Sequence, residues 1–375
     1  MTNTEHTIDC IQLINSEGIG PVTFHKFVSK YGTPSKALKA LPQYPKYTVF
    51  PRSHAQKELE KATKQNIHIL TYDSPEYPQK LKKISGSPPI LYVSGNKDIL
   101  NHNLCLSIVG ARNASILGRK TASQIAYDLT NKNVLIISGM ARGIDAAAHK
   151  GAMYALEQKG PTIAVLGTGV DIPYPSENNT LYEQIKEQGA IISEFPLGTP
   201  PQANNFPRRN RIVSGLSNGT LVVEATTNSG SLITSDFAKD QGLHIFAIPG
   251  SPQDARALGP NKLIKEGAVL VESAQDIYNI LKTPNTKKLK TKVDNKPSNV
   301  AIGEKQTSLM FESPQQQKAT DLLNILTPTG IHMDELVRET GLDSATLSFK
   351  LLELELTGQI ERQPGNIVAL IRKKK

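Results

Sequence analysis

A chain of 375 residues with 38% hydrophobic and 21% charged residues has an ordinary globular composition and room for two or three domains. Its two cysteines, Cys10 and Cys105, stand far apart and outside any CxxC or Cys/His cluster, which excludes a disulfide scaffold and a zinc site of the usual spacing. The formal net charge of +9 favours a polyanionic partner, although part of the excess sits in TPNTKKLKTKVDNKPSN (283–299) and the terminal RKKK.

No apolar run reaches the roughly eighteen residues of a membrane span. The opening MTNTEHTIDC lacks a basic n-region and an apolar core, so a cytoplasmic chain without membrane contact is expected. Along the chain, residues 1–65 alternate helical patterns with polar turns. Within them NSEGIGPVTFHKFVSKYG (15–32) reads as a helix, a Gly18-Ile19-Gly20 turn, a second helix opened by Pro21 and a stop at Gly32. Such a turn fits either a helix-hairpin-helix module, whose backbone N–H groups meet phosphates, or a plain αα-corner.

Residues 66–282 change rhythm to strand, glycine, helix. Apolar runs occur at LCLSIVG (104–110), VLIISG (134–139), TIAVLG (162–167), AIISEF (190–195), TLVVEA (220–225) and HIFAIPG (244–250), with ILYVSG (90–95) as an earlier candidate. Helix-compatible segments such as RKTASQIAYDLTN, GIDAAAHKGAMYALEQ and SLITSDFAKDQG separate them. Continuous apolar strands alternating with amphipathic helices predict an α/β fold, a doubly wound and mostly parallel sheet. A lysine-, proline- and asparagine-bearing linker follows at 283–313. The last region, 314–375, shows three helical patterns and two short strands around Pro364-Gly365, the plan of a winged helix. Its third helix carries Lys350 against Glu353 and Glu355, a poor charge pattern for phosphate contact and one that favours protein contacts or regulation.

In a doubly wound sheet ligands sit beyond the C-terminal ends of the strands. Glycines and small polar residues crowd those ends here: Gly110-Ala111-Arg112, Ser138-Gly139, Gly167-Thr168-Gly169, Ser229-Gly230-Ser231 and Pro249-Gly250. Bare backbone and helix N-termini suit an anion. Neither a full GxGxxG nor a correctly spaced P-loop is present, and no cofactor or metal is expected. Asp145 and His149, four apart on one helix, could form an acid–base pair or simply hydrogen bond within the fold; Glu224 could orient a ribose or cap a turn. Arg112 stands on the rim, and FPRRNRIVSG (206–215) adds Arg208, Arg209 and Arg211, guanidinium groups suited to bidentate phosphate contact.

The blocks IVGARNAS (108–115), ISGMARGIDAAAHKGAM (137–153), VLGTGVDIPYPSEN (165–178), ISEFPLGTPPQANNFPRRNRIVSGLS (192–217) and EATTNSGSLITSDFA (224–238), with HIFAIPGSPQD (244–254) after them, resemble the DNA-processing protein A (DprA/Smf) family. They cover most of residues 85–280 in order. The resemblance implies an extended Rossmann-like core that binds single-stranded DNA, forms a homodimer and loads the RecA recombinase onto DNA during natural transformation, without catalysis. Its G-[STA]-R element falls on Gly110-Ala111-Arg112 and its FPxRNR element on Phe206 to Arg211. Arg112, Arg209 and Arg211 thus carry over directly, and Arg208 falls on a variable position. Many members have a basic residue where this chain has Ser176, flanked by Glu177. The expected nucleic-acid-binding set is Gly110, Arg112, Ser138, Gly139, Arg208, Arg209, Asn210, Arg211, Gly230 and Ser231. With aromatics at 5% and no tryptophan, phosphate contacts should dominate over base stacking. The alternative is a nucleotide-processing enzyme resembling phosphoribohydrolases, whose PGGxGT element this chain does not reproduce.

Overall fold

The computed structural model describes residues 4–158 and 160–283, and in the C-terminal region residues 322, 325, 326, 331–363 and 365–371. Two compact units divide the chain at Lys282. The 283–313 linker beyond Thr283 and most of the first helical pattern of the last region fall outside the described residues.

The first unit is built on a nine-stranded sheet. Its strands are β1 (His68–Thr71), β2 (Ile90–Gly95), β3 (Cys105–Val109), β4 (Leu135–Ser138), β5 (Thr162–Val165), β6 (Ala190–Ser193), β7 (Gly219–Val222), β8 (His244–Ala247) and β9 (Val269–Leu270). The order is β1-β2-β6-β5-β4-β3-β7-β8-β9. Strands β6 through β9 are parallel, whereas β2 runs antiparallel to both β1 and β6. The apolar runs are continuous because both faces are covered. Along β3, Leu106 and Ile108 pack with α5 (Ile116–Thr130) and α6 (Ile144–Gln158), while Cys105 and Val109 face Ile212 and Val213 of α8 (Asn205–Gly215). Each such fully buried aliphatic side chain contributes about 1.5–3 kcal/mol.

Strand order reverses between β3 and β7, so the topological switch point lies where the 110–112 turn leaves β3 and Glu224 follows β7. The N-terminal helices α1 (Thr4–Ile14), α2 (Pro21–Tyr31), α3 (Pro34–Ala40) and α4 (Arg52–Lys64) are fused to the other end of this sheet. Their Ile11, Leu13, Phe24 and Leu41 share one apolar cluster with Tyr92, Ala164, Leu166 and Ile191. Polar ties reinforce the seam: Lys61 meets Asp171 at 2.9 Å, and the Leu197 N–H donates to Glu58 at 2.7 Å. The 15–32 segment forms its two-helix turn, with Gly18 at φ +79°.

The second unit has a three-stranded antiparallel sheet, β10 (Ile331–His332), β11 (Ile360–Gln363) and β12 (Ile367–Leu370), in the order β10-β12-β11. With helices α12 (Met333–Thr340) and α13 (Ser344–Leu356) it encloses Leu336, Leu347, Leu351 and Val368, the winged-helix plan. Helix α13 exposes Phe349 and Leu352, not a cation.

Candidate nucleic-acid interface

The rim is made by the loops leaving β3, β4, β5, β6 and β7. Helix α8 is its densest part, and the helical period sorts its arginines. Arg209 lies three and four positions before Ile212 and Val213, both buried, and therefore points inward with them. It is 5% exposed; its Nη1 donates to the Gly139 carbonyl at 2.5 Å and to the Val165 carbonyl. These two acceptors end β4 and β5, so one guanidinium ties two strand ends together. Burial pushes its pKa down to about 10, an effect opposed by the Asp145 carboxylate and added to by Arg112.

Arg211 is held differently. Its Nη1 and Nη2 donate to the two carboxylate oxygens of Glu194, each at 2.6 Å, and its Nε donates to the Gly86 carbonyl at 3.1 Å. The two side chains of this fork-to-fork pair are 11% and 5% exposed. Arg208 and Arg112, by contrast, reach solvent. The Arg208 guanidinium lies 5.2 Å from the Phe195 ring centre, and that of Arg112 lies 5.7 Å from Phe206. Phe206 in turn packs on Tyr174, with ring centres 5.4 Å apart. The sequence ranks Arg209 and Arg211 above Arg208. The geometry separates them differently: Arg209 is buried and Arg211 mostly buried, with most of their donors on internal acceptors, whereas Arg208 and Arg112 face solvent.

The remaining residues divide in the same way. Ser138 is fully buried and its hydroxyl donates to the Ile108 carbonyl at 2.6 Å. The Gly139 N–H donates to Asp145 at 3.1 Å, and a Cβ on Gly139 would stand 2.5 Å from Arg209 Nη2. Both are thereby withdrawn from the rim. Gly110 is half-buried; a Cβ there would lie 2.6 Å from Ile144 Cγ1, so its smallness serves packing against α6 and not access by a ligand. Gly230 is the open one, with no atom near its absent Cβ. It begins α9 (Gly230–Asp240), where the Ser231 N–H donates to Ser229 at 3.4 Å. Asn210 joins α8 to this helix end by donating to the Gly230 carbonyl at 3.2 Å. Arg112, Phe206, Arg208, Asn210, Gly230 and Ser231 thus form the accessible group.

At the switch point Glu224 caps a turn. Its carboxylate accepts from the Ser115 N–H at 2.9 Å and the Ser115 hydroxyl at 2.6 Å, in front of α5. A Cβ on Gly118 would collide with the same carboxylate. The helix N-terminus that receives a nucleotide phosphate in many sheets of this class is occupied here by the chain's own anion.

Asp145 and His149 do not meet. Asp145 accepts from the N–H groups of Gly139 and Ala141, while His149 Nδ1 pairs with Thr162 Oγ1 at 2.9 Å. Thr162 donates its own proton to the Ile136 carbonyl at 2.7 Å, so His149 Nδ1 must carry the hydrogen and Nε2 stays an unpaired acceptor. Burial and the nearby Arg209 push the His149 pKa down to about 3. A depressed histidine pKa means that the unfolded chain takes up its proton first as pH falls below the ordinary value. Stability is therefore lost on acidification, by about 3 kcal/mol between pH 7 and pH 4 for this group. Denaturant titrations at the two pH values should show that loss shrinking in a His149→Gln variant.

Sequence reasoning did not single out Tyr174 or Arg142. Arg142 is exposed beside Glu177, the neighbour of Ser176, with a separation of 3.6 Å. Its signal was the basic residue in the turn between β4 and α6, on the same rim as Arg112.

The family model of DNA recombination-mediator protein A matches residues 68–282, that of the DprA-like N-terminal HHH domain residues 4–61, and that of the DprA winged helix domain residues 311–366. Protein Smf of Escherichia coli K12 is 37% identical over 88% of this chain and 85% of its own length. The crystal structure of DprA from Streptococcus pneumoniae matches with a TM-score of 0.63 and 33% identity, over 74% of this chain and 98% of that one. The DprA of Helicobacter pylori, described for its single-stranded DNA binding mode, matches with a TM-score of 0.52 and 25% identity, over 58% of this chain and 97% of its own. With a family match across more than half its length and a relative of this identity over most of it, the chain belongs to the DNA recombination-mediator protein A (DprA/Smf) family.

Proposed function

We propose that this protein binds single-stranded DNA along its phosphate backbone at the rim, and that as a recombination mediator it hands the strand to the RecA recombinase. The observation that carries the binding step is the pair of solvent-facing guanidinium groups, Arg112 and Arg208, each resting against a phenylalanine ring. Guanidinium planes supply phosphate contacts, and the Tyr174–Phe206 pair offers a ring face to an unstacked base. The chemistry is binding, not bond breaking, and takes place in the cytoplasm. Two copies of the rim in a homodimer would join short footprints and raise avidity on long strands.

Support for this reading over a phosphoribohydrolase-like enzyme comes from Glu224, whose carboxylate is directed at Ser115 and the start of α5 and not into an open crevice. The test is binding of oligothymidylate against duplex of equal length at two salt concentrations. Single-strand preference, with an affinity that falls steeply with salt, is expected. Equal or stronger duplex binding overturns the proposal, and release of nucleobase from a nucleoside monophosphate replaces it with the enzyme reading.

A further inference from the structure

A groove of about 500 Å³ lies outside the rim, between the side of α2 and the turn that precedes β2. Val22, His25, Lys26 and Lys30 line one wall, Ser85 and Gly86 the other, and no lining residue is acidic. Lys26 is exposed, and its side chain makes no hydrogen bond or ion pair among the described residues. Lys30 is positioned at the mouth by its hydrogen bond to the Tyr44 hydroxyl at 2.8 Å. Lys83, also exposed, sits two residues before Ser85. The floor is rigid: His25 bonds to the Ser87 carbonyl at 2.9 Å and packs edge-on against Tyr72, with ring centres 4.6 Å apart.

The groove touches the rim through one residue. Gly86 accepts the hydrogen bond from Arg211 of α8, and a Cβ added to it would stand 3.8 Å from both Arg211 Nε and Val22 Cγ2. Helix α8, which presents Arg208, and helix α2, which presents Lys26, therefore share this turn as a common wall. Beside this turn the Glu194 carboxylate is neutralised by its fork-to-fork pair with Arg211.

We propose that this groove carries the continuation of the single strand held at the rim, with Lys26, Lys30 and Lys83 on its phosphates and the apolar side of Val22 against its sugars and bases. The inference rests on the proposed single-strand binding. It makes the side face of α2, not the Gly18–Gly20 turn, the DNA-facing surface of the N-terminal helices, so the footprint spans both parts of the first unit.

Binding of oligothymidylates of about six and about twenty nucleotides tests it on the full-length protein. The Lys26→Glu/Lys83→Glu variant should bind the longer strand about tenfold more weakly while binding the shorter one as wild type does. Its salt slope on the longer strand should fall by about 1.4, at roughly 0.7 per lost phosphate contact on a single strand. Lys26→Arg should retain wild-type affinity for both lengths. Undiminished binding of the longer strand, or equal weakening on both lengths, overturns the groove assignment alone. Wild-type protein that binds neither oligomer overturns the underlying function. Both substituted lysines are exposed, so an unchanged melting temperature verifies the fold.

Discussion

Replacing Arg112 and Arg208 together by alanine is expected to weaken oligothymidylate binding about a hundredfold without destabilising the protein. Hydrogen bonds to charged groups contribute about 1.5–3 kcal/mol each, so two lost phosphate contacts amount to roughly 3 kcal/mol. Both side chains are exposed and lie over rings instead of inside hydrogen-bond networks. Stability should therefore stay within about 0.5 kcal/mol of wild type. The salt dependence gives an independent reading: two fewer neutralised phosphates lower the slope of log K against log salt by about 1.4. Fluorescence anisotropy at several salt concentrations, paired with a denaturant melt, measures both quantities. Wild-type affinity in the double variant would remove these residues from the interface.

Arg211→Ala serves as the contrasting case. It leaves Glu194, whose side chain is 5% exposed, without its counterion. The cost of an uncompensated buried charge falls on the fold first. Any loss of DNA binding in that variant should track its loss of stability, whereas in the Arg112/Arg208 variant the two separate.

The sheet was legible because parallel strands covered on both faces read as unbroken apolar runs, such as SIV at 107–109 and LIIS at 135–138. The edge strand β1, only four residues and starting with the half-buried His68, offered no such run. The fusion of the N-terminal helices with the core was not legible either. It depends on pairs such as Lys61 with Asp171, 110 positions apart, that no local pattern announces. At the site, sequence located the arginine-bearing helix but read charge as accessibility. The glycines misled for a related reason: Gly110 and Gly139 are small because Ile144 and Arg209 occupy the space a ligand was expected to need. The helical period held the correction in advance, since Arg209 shares the face of Ile212 and Val213.

Arg209→Met is expected to cost about 3–5 kcal/mol of folding stability, the range for leaving a buried charge uncompensated. Four groups depend on this guanidinium, counting the Asn210 side-chain oxygen that accepts from its Nε at 3.2 Å. The carbonyls of Gly139 and Val165 lose their donor at the ends of β4 and β5, and the buried Asp145 loses the positive charge that opposes its desolvation. Asp145 would then rely on the N–H groups of Gly139 and Ala141 and on the more distant charge of Arg112. Arg209→Lys should recover little, because an ammonium on a flexible stem does not reproduce the planar fork that spans two carbonyls. Adding Asp145→Asn to Arg209→Met should return part of the loss by removing the stranded charge, and a double-mutant cycle on urea midpoints quantifies that coupling. If Arg209→Met instead unfolds like wild type yet releases single-stranded DNA, the guanidinium reaches the ligand directly and the burial-based division of the four arginines fails. If the variant is destabilised but binds normally well below its unfolding midpoint, Arg209 is a positioning residue. It then fixes the ends of β4 and β5, beneath the Arg112 turn, while Arg112 and Arg208 meet the phosphates.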